Sequence, residues 1–148
     1  MKKEILAFIF ILSVSFASAQ HKFSCSPGEV GFGGNDLVSY FDGKAESGVE
    51  KYTTEYEGIV LRFKNYENLS TFNKDPEKYL PAYGGWCATA VTQGILTEPD
   101  YSMFKIQEGQ LLFFEVKAFY NGKTQWEKNP EANQAVANKK YAAKFKDD

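Results

Sequence analysis

Histidine occurs once in this 148-residue chain, at position 21, and cysteine twice, at 25 and 87. That scarcity excludes a good deal. A serine or cysteine nucleophile working through an imidazole needs a histidine in the body of the fold, and His21 lies far upstream. A histidine-based zinc centre fails for the same reason, and two cysteines cannot build a structural zinc site alone. His21 could help a free N-terminal amine hold copper loosely, but terminal histidines are commonly just solvated. Clustered positive charge is scarce too, with a formal net charge of −2. The densest basic group, Lys139, Lys140, Lys144 and Lys146, suits the negative end of a helix. Nucleic acid is therefore not an expected partner, nor is an anionic membrane surface. Gly31, Gly33 and Gly34 lack the lysine and hydroxyl partners of a phosphate loop. Glu, Asp and Tyr are plentiful, but no spacing among them singles out an acid–base pair. No internal repeat, low-complexity tract or dividing linker is evident.

What is present begins with a leader. Lys2 and Lys3, an apolar stretch from Ile5 to Phe16, and Ala17-Ser18-Ala19 read as a signal peptide over 1–19. The stretch is short for a membrane span, which takes about 20 residues. The expectation is a periplasmic or secreted protein with no membrane span after cleavage. Export makes a Cys25–Cys87 disulfide one arrangement, worth about 2–4 kcal/mol. Two independent thiols are the other.

Thirteen Phe, nine Tyr and two Trp supply a core for one domain. Residues 20–33 read as irregular and 34–148 as the domain. Asp36–Phe41 is a short apolar segment ended by Asp42-Gly43. Tyr52, Thr54 and Tyr56 alternate with charged and polar residues, and Ile59, Leu61 and Phe63 share a face. Glu57-Gly58 joins these strands into a hairpin. Asn65 caps a helix over Tyr66–Asn73 with Tyr66, Leu69 and Phe72 on one face. Asp75-Pro76 starts another, and Trp86–Gln93 reads as a helical turn closed by Gly94. Ser102–Gln107 and Leu111–Phe114 form a second hairpin through Glu108-Gly109. The unbroken apolar run Leu111–Phe114 suggests a strand covered on both faces. Asn129-Pro130 opens a final helix striped by Ala137, Tyr141 and Phe145. The fold class is α+β: a small single domain of two β-hairpins, interspersed short helices and a C-terminal helix.

Chemistry, if any, centres on Tyr83-Gly-Gly-Trp-Cys87. A helix starting near Trp86 would favour the Cys87 thiolate and suit redox chemistry or a soft metal. On the other reading, Gly84-Gly85 end the preceding helix while Trp86 and Cys87 fill the core.

The segments Asp36-Leu-Val-Ser-Tyr-Phe41, Tyr56-Glu-Gly58, Phe63-Lys-Asn-Tyr-Glu-Asn-Leu-Ser-Thr-Phe72, Asp75-Pro-Glu-Lys-Tyr79 and Tyr83-Gly-Gly-Trp-Cys-Ala-Thr-Ala-Val-Thr-Gln-Gly94 resemble the YHS domain. The last is similar to its exported bacterial branch of YHS domain-containing (seleno)proteins. The resemblance covers about residues 34–94. It implies a fold in which metal-handling members keep cysteines at positions that here read Ser39, Lys64 and Asn68. None of these three is a good soft-metal ligand, so no metal site carries over and no cofactor is specified. Selenoprotein relatives imply redox chemistry near Trp86–Cys87.

The expected function is thus an exported binding or accessory protein, not an evident enzyme, with no catalytic residues assigned. Its metal, small-ligand or redox role would run through Cys87, flanked by Tyr83 and Trp86, with Asp36 and Tyr40 as a facing wall. Alternatives are a thiol-dependent redox protein or enzyme subunit, and a structural interaction module of the cell envelope. The partner would be a small ligand or an envelope protein.

Overall fold

The computed structural model describes residues 21–146; the predicted leader and its cleavage point lie outside the described residues. Two hairpins carry the fold. In β1 (Val49–Tyr56), Tyr52, Thr54 and Tyr56 turn inward while Lys51, Thr53 and Glu55 face solvent. Strand β2 (Ile59–Phe63) buries Ile59, Leu61 and Phe63. Glu57 and Gly58 between them have φ of 46° and 81°. Left-handed backbone at both central residues matches the twist of a two-residue hairpin.

Helix α1 (Tyr66–Lys74) is capped by the Asn65 side chain, which accepts from the Asn68 N–H. Its Phe72 ring packs 5.1 Å from Phe63. Tyr66, expected on the same face, instead stands 70% exposed. Helix α2 (Pro76–Tyr79) starts at its proline, although Asp75 makes no side-chain cap bond. Helix α3 (Ala88–Thr92) is followed by Gly94 at φ 76°. Strands β3 (Asp100–Gln107) and β4 (Gln110–Phe114) form the second hairpin through Glu108-Gly109. A short hairpin of β5 (Val116–Lys117) and β6 (Tyr120–Asn121) then leads into α4 (Gly122–Trp126), and α5 (Pro130–Lys144) closes the chain. The β5–β6 hairpin and α4 are absent from the sequence reading. The class is α+β, with three two-stranded antiparallel sheets among the described residues. No described helix is long and apolar enough to cross a membrane.

Strand β4 is covered on both faces, as its unbroken apolar run implies. Leu111 and Phe113 join one core with Phe32, Tyr40 and Phe63. Leu112 and Phe114 join another with Tyr83, Val91 and Trp126.

The structure overturns one reading outright: the chain does contain a repeat, at an offset of 51 residues. β1–β2 and β3–β4 have equal lengths and the same turn, and their register breaks at the same place. Val49 faces Phe63 and Thr53 faces Arg62 in one; Asp100 faces Phe114 and Phe104 faces Phe113 in the other. The match extends upstream. The Asp36 N–H donates to the Glu46 carbonyl and the Cys87 N–H to the Thr97 carbonyl; Gly43 N–H donates to Tyr40 and Gly94 N–H to Val91. The bridges Val30–Val60 and Pro81–Leu111 are also equivalent. Phe32-Gly33-Gly34 and Tyr83-Gly84-Gly85 form the same left-handed turn, with φ of 53°, 66° and 72° against 55°, 60° and 82°. Side-chain identity between the halves is low, which hid the repeat. The repeated turn Phe32–Gly34 also crosses the boundary placed at residue 34.

Downstream the halves part company. In the first, the Asn65 cap follows Lys64 directly. In the second, Val116–Tyr120 intervene between Glu115 and the equivalent cap Asn121, whose side chain accepts from the Thr124 N–H. The inserted hairpin is the main difference between two otherwise parallel units.

Candidate functional site

The repeat makes Asp36 and Cys87 equivalent: each ends a diglycine turn, opens a short helical segment, and is fully buried. Their surroundings differ. The Asp36 carboxylate accepts four hydrogen bonds, from the Val38 and Ser39 N–H groups at 2.9 and 3.2 Å, the Lys64 N–H at 2.9 Å and the Asn68 side-chain amide at 2.7 Å. A buried carboxylate needs that many partners. Ser39, Lys64 and Asn68, predicted to occupy the ligand positions of metal-handling relatives, are therefore gathered around one carboxylate. They are gathered as its supports. Above them the Lys64 ammonium pairs with Glu46 and holds the Glu46 carboxyl below its usual range, with Lys44 and Ser39 adding less. The same bond raises the Lys64 ammonium. The ion pair closes over this half-site, leaving the Ser39 hydroxyl buried without a hydrogen-bond partner among the described residues.

Cys87 has no such shell of donors among the described residues. Its N–H bonds Thr97, and its Sγ would lie 3.4 Å from a Cβ built on Gly122. Helix α3 starts at Ala88, one residue beyond it, and runs five residues. A single turn offers little dipole. Over this half-site stands an open cleft of about 230 Å³, lined by Ala90, Ile95, Thr97, Glu115, Lys117 and Tyr120. Ala90, Ile95, Thr97 and Glu115 occupy the places of Ser39, Lys44, Glu46 and Lys64. Lys117 and Tyr120 come from the inserted hairpin. The Thr97 hydroxyl is buried with no hydrogen-bond partner among the described residues. Burial, with Cys87 and Glu115 nearby, raises the Tyr120 phenol.

The predicted site residues do not form one wall facing another. Tyr40 donates its hydroxyl to the Tyr101 carbonyl at 2.7 Å and packs 5.1 Å from Phe113 in the first core. Burial raises its phenol far above the normal range. Tyr83 belongs to the second core and donates to Asn138 at 2.9 Å. Strand β4 lies between Tyr40 and Tyr83, whose rings belong to different cores. Cys25 and Cys87 are both free thiols. Of the two arrangements left open, the bridge is not formed: Cys25 packs near Gly31, and burial raises its thiol.

Gly84 explains itself through the N-terminal segment. A Cβ there would come 1.9 Å from the Lys22 carbonyl. That carbonyl also accepts from Trp86 Nε1 at 3.2 Å and from the Tyr141 hydroxyl at 2.7 Å, while the Ser24 N–H donates to the Gly84 carbonyl. The Tyr83–Trp86 turn thus seats residues 22–24 as a strap, and Trp86 serves that seat. A cleft of about 330 Å³ beside it is lined by Lys22, Glu57, Tyr83 and Tyr141, and Lys22 already pairs with Glu57 there.

Among the described residues, no three His, Cys, Asp or Glu side chains gather as a metal centre would need. Sequence reasoning missed Thr97, Glu115 and Tyr120. The 51-residue spacing of the diglycine turns, of Gly43 and Gly94, and of the two Glu-Gly turns was the signal that would have found the first two. Comparison with family models, curated proteins and solved structures gives no match to this chain.

Proposed function

We propose that this chain is an exported, YHS-type binding or accessory protein that works without thiolate metal ligands, through the ground above Cys87. One observation carries the reading. The half-site around Asp36 is held by backbone N–H groups and Asn68 and closed over by the Lys64–Glu46 ion pair, whereas the equivalent ground above Cys87 is an open cleft; each half leaves one buried hydroxyl unpartnered among the described residues, Ser39 in the first and Thr97 in the second. A mostly buried carboxylate, Glu115, lining an open cleft fits a ligand better than a structural role does. Cys87 itself is fully buried, which favours a thiol that shapes the floor over one that reacts.

The test is thiol labelling of the native protein with a maleimide, read by mass. The binding reading expects Cys87 to stay unlabelled until denaturant is added. Rapid labelling of Cys87 in the native state would overturn it in favour of the thiol-dependent redox alternative.

The interaction-module reading rests on a different observation. Phe119, at the tip of the inserted hairpin, is fully exposed, with Val116 and Ile95 also exposed. Phe119→Ser should abolish capture of an envelope partner if that reading holds, and leave capture unchanged if it does not.

A further inference from the structure

The two halves are a comparison that the molecule makes with itself. In the first, one alkylammonium, the Lys64 side chain, reaches Glu46 and bridges two positions over the buried Ser39. In the second, the same two positions are Glu115 and Thr97. No bond joins them: the Thr97 hydroxyl is unpartnered among the described residues, as the Ser39 hydroxyl is in the first half, and the Glu115 carboxylate, only 15% exposed, is reached from outside by Lys117 at 2.7 Å. Lys117 is 67% exposed and held by little else. The floor has lost a hydroxyl, Ser39 becoming Ala90, and Lys44 is replaced by Ile95, so it has grown more apolar.

We propose that the cleft bounded by Ala90, Ile95, Thr97, Glu115 and Tyr120 binds a small free alkylammonium ligand. Its ammonium lies on Glu115 with the Tyr120 hydroxyl as a further acceptor, and its stem lies over Ala90 and Ile95. The proposal rests on the binding reading above and adds the ligand class. An ammonium has three donors and no acceptor, which suits the two oxygens of one carboxylate and a hydroxyl. A charge-assisted bond in a half-buried cleft is the strong kind. Lys117, drawn from the inserted hairpin, is the internal stand-in: it satisfies Glu115 when the ligand is absent and is displaced when the ligand enters.

The experiment is an amide NMR titration of the purified protein with n-butylammonium chloride, with n-butanol as the neutral control, at constant ionic strength. The expected result is saturable shifts confined to residues 90–97 and 115–122 for the amine. Glu115→Gln should weaken binding by about tenfold, the worth of one charge-assisted bond. Lys117→Ala should tighten it by removing the competing ammonium, a direction that a merely structural lysine would not give. Lys64→Ala should open the first half-site and create a second saturable set of shifts around Ser39 and Glu46. Equal shifts from n-butanol, or no saturable binding even to Lys117→Ala, would overturn the proposal. That failure with Cys87 still unlabelled removes the ligand class alone; rapid Cys87 labelling removes the broader reading.

Discussion

Tyr83 combines a left-handed backbone, φ 55°, with a buried phenol whose proton is shared with Asn138. Burial pushes that phenol up to about 12, against 10.0 for an ordinary tyrosine. The fold therefore keeps the proton where the unfolded chain has already lost it. The contribution of Tyr83 is whole below about pH 10 and falls away as pH rises through about 12. Tyr83→Phe should lose about 1 kcal/mol at pH 7 through the missing hydrogen bond and fall less steeply than the parent between pH 10 and 12. Urea midpoints across that range check both signs, and an unchanged alkaline slope would contradict the assignment. At this scale the sequence was legible where chemistry is local. The Asn65 cap and the start at Pro76 follow from side chains meeting their own backbone. Cys87 was not legible, because its burial and its isolation from Cys25 depend on residues far along the chain.

Among elements, the hairpins were legible and the connections were not. Alternation in β1 and the Glu-Gly turns carry their geometry in neighbouring residues. The inserted β5–β6 pair has two residues a strand and no alternation to read. Helix α4 covers little more than one turn. The two Glu-Gly turns share left-handed glycines at φ 81° and 75°. Gly58→Ala and Gly109→Ala should each cost about 1–2 kcal/mol, and the two costs should agree closely. Chemical denaturation of the two variants measures this, and markedly unequal losses would show that the hairpins are not energetically equivalent.

Taken whole, the molecule has two cores but one strand common to both. Leu111 and Phe113 serve the first, Leu112 and Phe114 the second. The halves should therefore unfold together. Trp126→Ala, in the second core, removes a buried ring and should cost about 3–5 kcal/mol. It should lower a single transition followed equally by probes in either half; two separated transitions would show independent units. The repeat was the feature least visible along the chain, because it is kept in backbone and lost in side chains. Glycine stays where φ is positive, at 33 and 84, 34 and 85, 43 and 94, 58 and 109. Asp36 and Lys64 give way to Cys87 and Glu115. The chain thus holds two answers to one backbone problem, so each half is a working template for editing the other. A graft of Glu46 onto position 97 with Lys64 onto position 115 asks whether a cleft can be sealed by borrowing its twin's ion pair. Equal geometry with unequal chemistry, inside one polypeptide, separates what the backbone requires from what the side chains are free to choose.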